Sequence, residues 1–260
     1  MAVRVGFVGA GGMNSAHMKN LAQIKGVELV AVADLNEERA NQRAAEYGMT
    51  AFTSWKAMLK DAKIDAMYVA VPPFAHEGQE QAAAKLGIHL FVEKPVAVSM
   101  DLALRVQRAV ERSGVATQVG YMYRLSPPLQ QVRDLLAGRA VAMVQAHYYM
   151  PGLPGPVWWP KMALGGGQLV EQATHMLDLG RFLAGKEEFE PPVGLVRVEA
   201  ALPAETRVDE RDIDAAEGID RGGGQALVVL PGGDVRDDGD RRARTSALGG
   251  ERLQLVLRAR

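Results

Sequence analysis

Val3-Arg4-Val5-Gly6-Phe7-Val8-Gly9-Ala10-Gly11-Gly12-Met13-Asn14 is the stretch on which the fold turns. An apolar run with little alternation suits a strand covered on both faces. The glycines that follow end it at a turn, and a helical pattern begins there. Gly9 permits the tight turn, and Gly11 lets the backbone approach a pyrophosphate. Beyond Gly12 the helix start, with Met13 and Asn14 in its first turn, offers open N–H groups and the positive end of the helix dipole. Asn14 stands where this fingerprint has its third glycine, a departure expected to loosen helix–strand packing. Along the helix Met13, His17, Leu21 and Ile24 share one face, and Gly26 marks its stop.

Four more buried-strand patterns follow at residues 28–34, 66–71, 89–93 and 116–121. Between them lie helical patterns at 37–47, 76–86 and 100–113, the last with Gly114 just beyond it. Such alternation implies parallel βαβ units with right-handed crossovers. The expected fold class is α/β, with an N-terminal Rossmann doubly wound parallel sheet over residues 1–122. Asp34 closes the second strand, 23 residues past Gly11, where an acid accepts hydrogen bonds from a ribose 2′-hydroxyl. Its carboxylate would repel a 2′-phosphate, and Leu35 supplies no guanidinium to compensate. NAD is therefore expected as cofactor, with NADP disfavoured.

After Arg124 the character changes. A helix is expected over 126–136 and a strand over 140–149. A Pro/Gly-rich loop at 151–160, a helix over 168–184 and a further strand at 193–202 complete the pattern. This describes a second, α+β domain over 123–260 with a mostly antiparallel sheet. In the window 231–250, 13 of 20 residues are Gly, Asp or Arg, so no hydrophobic period survives and an ordered strand is not expected. Residues 253–257 read as strand again.

Composition excludes several classes of function. A net charge of -1 gives no electrostatic case for nucleic acid or an anionic membrane. No apolar run approaches the roughly 18 residues of a membrane span. The start of the chain runs directly into a strand pattern and does not read as a signal peptide. With no cysteine, disulfides and thiolate chemistry are absent, which fits a cytoplasmic protein. No cluster of residues suggests a metal site.

Two segments carry chemistry. Phe91-Val92-Glu93-Lys94-Pro95 ends a strand at the edge where open parallel sheets bind ligands. Lys94 there can donate hydrogen bonds or exchange a proton with a substrate hydroxyl, although a strand-end lysine is ordinarily a solvated charge. The proline after it fixes the local backbone, a cis bond being one option. In the second segment, Gln168, Glu171, His175 and Asp178 recur at spacings of three, four and three, sharing one helix face. Facing a cleft, that stripe would be a proton relay. Facing water, it would be a solvated polar face with local ion pairs, and spacing alone favours the latter.

Taken together, these segments resemble the Gfo/Idh/MocA oxidoreductases, the glucose–fructose oxidoreductase and inositol dehydrogenase-like family. The resemblance spans about residues 3–185. It rests on Gly9-Ala10-Gly11-Gly12, Ala33-Asp34, Val71-Pro72-Pro73-Phe74-Ala75-His76, Glu93-Lys94-Pro95, Val119-Gly120-Tyr121 and the Gly-rich helix of residues 165–178. It implies an NAD(P)-dependent dehydrogenase acting on a sugar, polyol or related hydroxy compound. It places Lys94 beside nicotinamide and substrate, and gives His175 the role of acid/base or hydroxyl anchor. Glu171 occupies the position where dehydrogenases of the family commonly carry aspartate. Pro72, Pro73 and His76 resemble the family's cofactor-proximal loop, with loop bracing the alternative for His76; Glu93 belongs to the same cofactor set. Tyr121, Tyr123, Trp158 and Trp159 are candidates to line the substrate cleft, ordinary packing being the alternative. A homo-oligomer through the C-terminal sheet would follow from the same likeness. From about Gly218 the chain departs from the family's strand pattern, so the expected sheet is incomplete. A deletion, a disordered segment or an out-of-frame reading each fit that composition. The competing functional reading is a non-catalytic nucleotide-binding regulator on the same fold.

Overall fold

A computed structural model describes residues 2–139, 141–149, 156, 158–159, 161–167, 169–184, 228–229 and 252–259. The chain divides into two compact units, Met1–Gly120 and Tyr121–Arg260.

The first unit alternates strand and helix in chain order: β1 (Val3–Val8), α1 (Gly12–Leu21), β2 (Val27–Ala33), α2 (Glu37–Tyr47), β3 (Thr50–Phe52), α3 (Trp55–Asp61), β4 (Ala66–Val69), α4 (Gln79–Lys85), β5 (His89–Val92), α5 (Met100–Ser113) and β6 (Thr117–Val119). The strands form one six-stranded sheet in the order β3-β2-β1-β4-β5-β6, and every pairing is parallel. This is the doubly wound order, which reverses direction between β1 and β4 and opens a crevice at their C-terminal ends.

Alternate residues of each strand feed two separate cores, as a period of two demands. Phe7 and Val32 go to the core shared with Met18 and Ala44. Val8, Ala31, Ala33, Met67 and Val92 go to the opposite one, with Met58, Ile64 and Ala84. Both faces are thus filled, which is why the strands read as unbroken apolar runs.

Three details differ from the sequence reading. The sheet has β3, and α3 follows it; neither was expected. β3 is only three residues long, too short for a period to register, although Ser54 caps α3 by accepting from the Lys56 amide at 3.2 Å. The buried face of α1 is Asn14 and Met18, whereas Met13 and Ile24 are exposed. The helix ends at Leu21, so Ile24 lies past it, and the start at Gly12 rotates the face by one residue. Finally, the pattern at 76–86 resolves into a 3₁₀ turn, Pro73–Ala75, followed by α4.

The second unit contains a 3₁₀ turn Met122–Leu125, α6 (Pro127–Leu136), β7 (Val141–Tyr149), a single turn α7 (Met162–Gly165), a π-helical stretch Leu169–Ala173 and α8 (Thr174–Ala184). Leu129 of α6 packs with Leu179 and Leu183 of α8, with Tyr123, Val132 and Phe182 around them. β7 pairs antiparallel with β8 (Val228–Val229) and β9 (Arg252–Ala259), which begins one residue before and ends two residues after the strand read at 253–257. The expected strand at 193–202, most of the loop at 151–160 and the window 231–250 lie outside the described residues. No described helix is long and apolar enough to cross a membrane.

Arg4 and Asp65 tie the N-terminal end of β1 to that of β4. The guanidinium donates to both carboxylate oxygens at 3.0 and 2.7 Å, and the Arg4 amide adds a third bond at 2.9 Å. The hydrogen bonds from Arg4 hold the Asp65 carboxyl far below the usual carboxylate range. A depressed folded-state pKa means the stabilisation is complete above the unfolded value of about 3.9 and is lost as pH falls below it. Asp65→Asn is therefore expected to lower the melting temperature at pH 7, with the gap to the parent protein closing below about pH 4 in thermal scans across pH.

Candidate cofactor and active site

Gly9 has φ +91°, and a Cβ there would lie 2.4 Å from the Ala70 carbonyl oxygen that follows β4. Only glycine fits against this carbonyl. Gly11 and Gly12 serve differently. An added Cβ at either meets nothing within 4 Å, so open space faces the start of α1. Gly11 caps the helix without a side-chain hydrogen bond, and no acidic residue occupies the first turn. Open amides, a positive dipole end and room in front of them are what a pyrophosphate needs. The donor set therefore fits a dinucleotide.

Asn14 does not loosen this turn. It is fully buried, and its Nδ2 donates to the carbonyls of Val8 and Gly9 at 2.9 and 2.6 Å. The amide thus anchors the first helical turn onto the end of β1, and acts on the nucleotide site by fixing its floor. Met13 stands exposed in the same turn.

Asp34, just past β2, lies against the Gly-rich turn: its Oδ2 accepts from the Ala10 amide at 2.7 Å and its Oδ1 from the Asn36 amide at 2.8 Å. Arg39 of α2 adds a two-pronged pair, Nε to Oδ2 at 3.1 Å and Nη2 to Oδ1 at 2.7 Å. A guanidinium thus stands beside this acid, supplied from α2 and not from residue 35. Leu35 follows Asp34 in sequence, but one turn of helix brings Arg39 back to it. Burial by itself would raise the Asp34 pKa; the Arg39 guanidinium and the two amides outweigh it and keep the carboxyl below its ordinary value.

On the far side of the crevice, Pro72 precedes the 3₁₀ turn that begins at buried Pro73. His76 is buried, and its Nδ1 meets Glu80 Oε1 of α4 at 2.6 Å. The ring braces the loop against the helix behind it.

Glu93 sits at the C-terminal end of β5, and its Oε1 accepts from His17 Nε2 at 2.8 Å. Its other oxygen faces the Lys94 amide at 3.1 Å. His17, not singled out as a site residue by the sequence, is itself clasped by the rings of Tyr68 and Phe91, with centroids 5.4 and 4.9 Å away. Gly120 completes the arrangement. A Cβ there would come within 2.7 Å of the Glu93 carboxylate, which accounts for glycine in Val119-Gly120-Tyr121. The Lys94–Pro95 bond is cis. Lys94 thus follows an acid whose position is fixed from α1, β5 and the end of β6.

The second unit carries the other cluster. Glu171, His175 and Asp178 are all buried, so the reading of a solvated polar face fails. The π-helical stretch at Leu169–Ala173 alters the spacing on which that reading relied. Tyr123 and Tyr121 meet the His175 ring edge-on, with centroids 5.1 and 6.2 Å away, and the Tyr121 hydroxyl lies 3.1 Å from Thr174 Oγ1. Asp178 is engaged by Arg124, through Nε at 2.7 Å and through Nη2, so it serves as a structural anchor there. Of the three glycines before the helix, Gly166 and Gly167 have positive φ, +74° and +68°, which favours glycine. Cβ atoms on Gly166 and Gly167 would strike Val170 and Met162, and one on Gly165 would lie 3.1 Å from the Trp159 carbonyl and 3.5 Å from the Trp158 ring. Trp158 and Trp159 meet edge-on at 6.3 Å. Gln168 lies outside the described residues.

Residues 3–121 match the family described as oxidoreductase family, NAD-binding Rossmann fold (GFO_IDH_MocA), and 129–224 match an oxidoreductase C-terminal domain. The chain is 30% identical to the inositol 2-dehydrogenase of Rhizobium meliloti over 233 residues, covering 88% of this chain and 68% of that protein. The chain belongs to the Gfo/Idh/MocA oxidoreductase family. Among solved structures, the WlbA dehydrogenase from Bordetella pertussis, in complex with NADH and UDP-GlcNAcA, is similar at TM-score 0.67 and 28% identity, over 78% of this chain and 59% of that one. GenD2 from gentamicin A biosynthesis, in complex with NAD, is similar at TM-score 0.67 and 25% identity, over 78% of this chain and 58% of that one. The chain spans 61% of the length of one further curated relative and 58% of another.

The packing at Gly120 leads to a measurable expectation. Gly120→Ala pushes the Glu93 carboxylate off His17 and is expected to weaken NADH binding by about tenfold, or about 1.4 kcal/mol. Fluorescence titration of NADH, with circular dichroism as the check on folding, reads this out.

Proposed function

We propose that this protein is an NAD-dependent dehydrogenase that moves hydride between the cofactor and a hydroxyl-bearing carbon of a sugar, polyol or related compound. The observation that carries this is the joint occurrence, in one crevice, of a pyrophosphate-ready helix start, an acid tied to the glycine turn and a strand-end Glu-Lys-Pro held from beneath. Relatives named as inositol dehydrogenases, and a neighbour that holds NADH with a nucleotide sugar, support the substrate class.

NAD, when bound, supplies the two-electron acceptor or donor. The chain's own residues would do the rest. The α1 amides would hold the pyrophosphate, Asp34 the adenosine ribose, and Pro72, Pro73 and Glu93 the flank of the nicotinamide half. Lys94 would act as hydrogen-bond donor and proton carrier for the substrate hydroxyl, with His175 as its acid/base partner and Glu171 as the neighbouring acid. Tyr121 and Trp158 are proposed as substrate-lining residues. In such a pair the lysine stabilises developing negative charge on oxygen, and the imidazole takes the proton at near-neutral pH. The second unit would supply a mostly antiparallel sheet and, through it, a homo-oligomer contact.

Calorimetric titration with NADH and then NADPH tests the first half, with NADH expected to bind more tightly. A panel of polyols and sugars, followed by NADH absorbance, tests the second. Lys94→Ala is expected to abolish turnover, by about a thousandfold or more, while NADH still binds. Retained nucleotide binding with no turnover of any panel member by the parent protein would favour the non-catalytic regulator instead.

A further inference from the structure

The Asp34 carboxylate is fully committed. Oδ2 accepts from the Ala10 amide and Arg39 Nε, and Oδ1 accepts from the Asn36 amide and Arg39 Nη2. A carboxylate offers about four lone-pair sites, so no acceptor position is left for an incoming diol. One donor must therefore withdraw before the ribose hydroxyls of NAD can be accepted.

The two amides cannot withdraw. Ala10 belongs to the buried turn after β1, and Asn36 caps α2, its own side chain accepting from the Arg39 amide at 2.9 Å. Arg39 is different. Its side chain is 49% exposed while that of Asp34 is 7% exposed, so the guanidinium closes over the acid from the solvent side. It rides on a flexible stem with water on its outer face, and leaving Asp34 costs it little of its solvation.

We propose that Arg39 is a displaceable guanidinium that sets how strongly this site prefers NAD over NADP. With NAD, Arg39 swings outward and the ribose diol takes its two places on Asp34. With NADP, the same swing brings the planar fork to the 2′-phosphate, a geometry that suits two-pronged binding of phosphate oxygens. The carboxylate repels that phosphate, and the guanidinium offsets the repulsion. Arg39 thus weakens NAD binding by competing with it and strengthens NADP binding by meeting it. The preference for NAD is narrower than an acid alone would impose.

This rests on the cofactor reading above, and the experiment separates the two. Kd values for NADH and NADPH are measured by calorimetry on the full chain for the parent, Arg39→Ala and Arg39→Lys, with melting temperature as the control for folding. In Arg39→Ala the NADPH Kd is expected to rise by about tenfold or more, while the NADH Kd falls or stays within about twofold. Arg39→Lys keeps the charge but loses the fork, and is expected to fall between the two for NADPH. A parallel loss for both nucleotides would make Arg39 a mere support for Asp34 and overturn the proposal. No change for either would do the same. If the parent bound neither nucleotide, the cofactor reading would fall and this proposal with it.

Discussion

One carboxylate holds two backbone turns at once in the N-terminal unit. By accepting from Ala10 and from Asn36, Asp34 joins the turn after β1 to the turn after β2. The geometry in front of α1 follows from that bond. With Gly9 pressed against Ala70, the turn is fixed to β4 on one side and to β2 on the other. Freedom to move has been removed before any ligand arrives, and this preorganisation is what lets a few amides bind an anion well.

The Glu93 site obeys a similar logic by different means. Its carboxylate is aimed by His17, and room for it exists only because residue 120 lacks a side chain. In the second unit, the buried cluster around His175 is enclosed by tyrosines, and Asp178 is neutralised by Arg124, whose guanidinium also lies 5.6 Å from the Phe182 ring. A carboxylate that is buried this far needs such a partner, since an unpaired one would cost several kcal/mol.

The sequence made the doubly wound sheet legible because its strands are buried on both sides and alternate with helices, the last of which carries its own stop at Gly114. It hid β3, whose three residues carry too little pattern. The glycine turn, Asp34 and the Glu-Lys-Pro segment were visible as local motifs. His17 and Arg39 were not, because what makes them matter is a partner elsewhere in the chain: 76 residues away for His17, and one helical turn back for Arg39. The buried state of Glu171, His175 and Asp178 was misread for a related reason. Spacing tells which residues share a face but not what covers it, and a π-helical stretch shifts the face itself.

Asn14 bears on how such chains are recognised at all. The third glycine of the dinucleotide fingerprint is ordinarily explained by the need to bring helix and strand close together. Here closeness is secured by a side chain that folds back and bonds the carbonyls of Val8, at the end of β1, and of Gly9. The requirement at that position is thus closure of the turn, which absence of a side chain satisfies in one way and a returning amide in another. A search pattern written for that requirement, with asparagine admitted beside glycine, would retrieve chains that a three-glycine pattern discards.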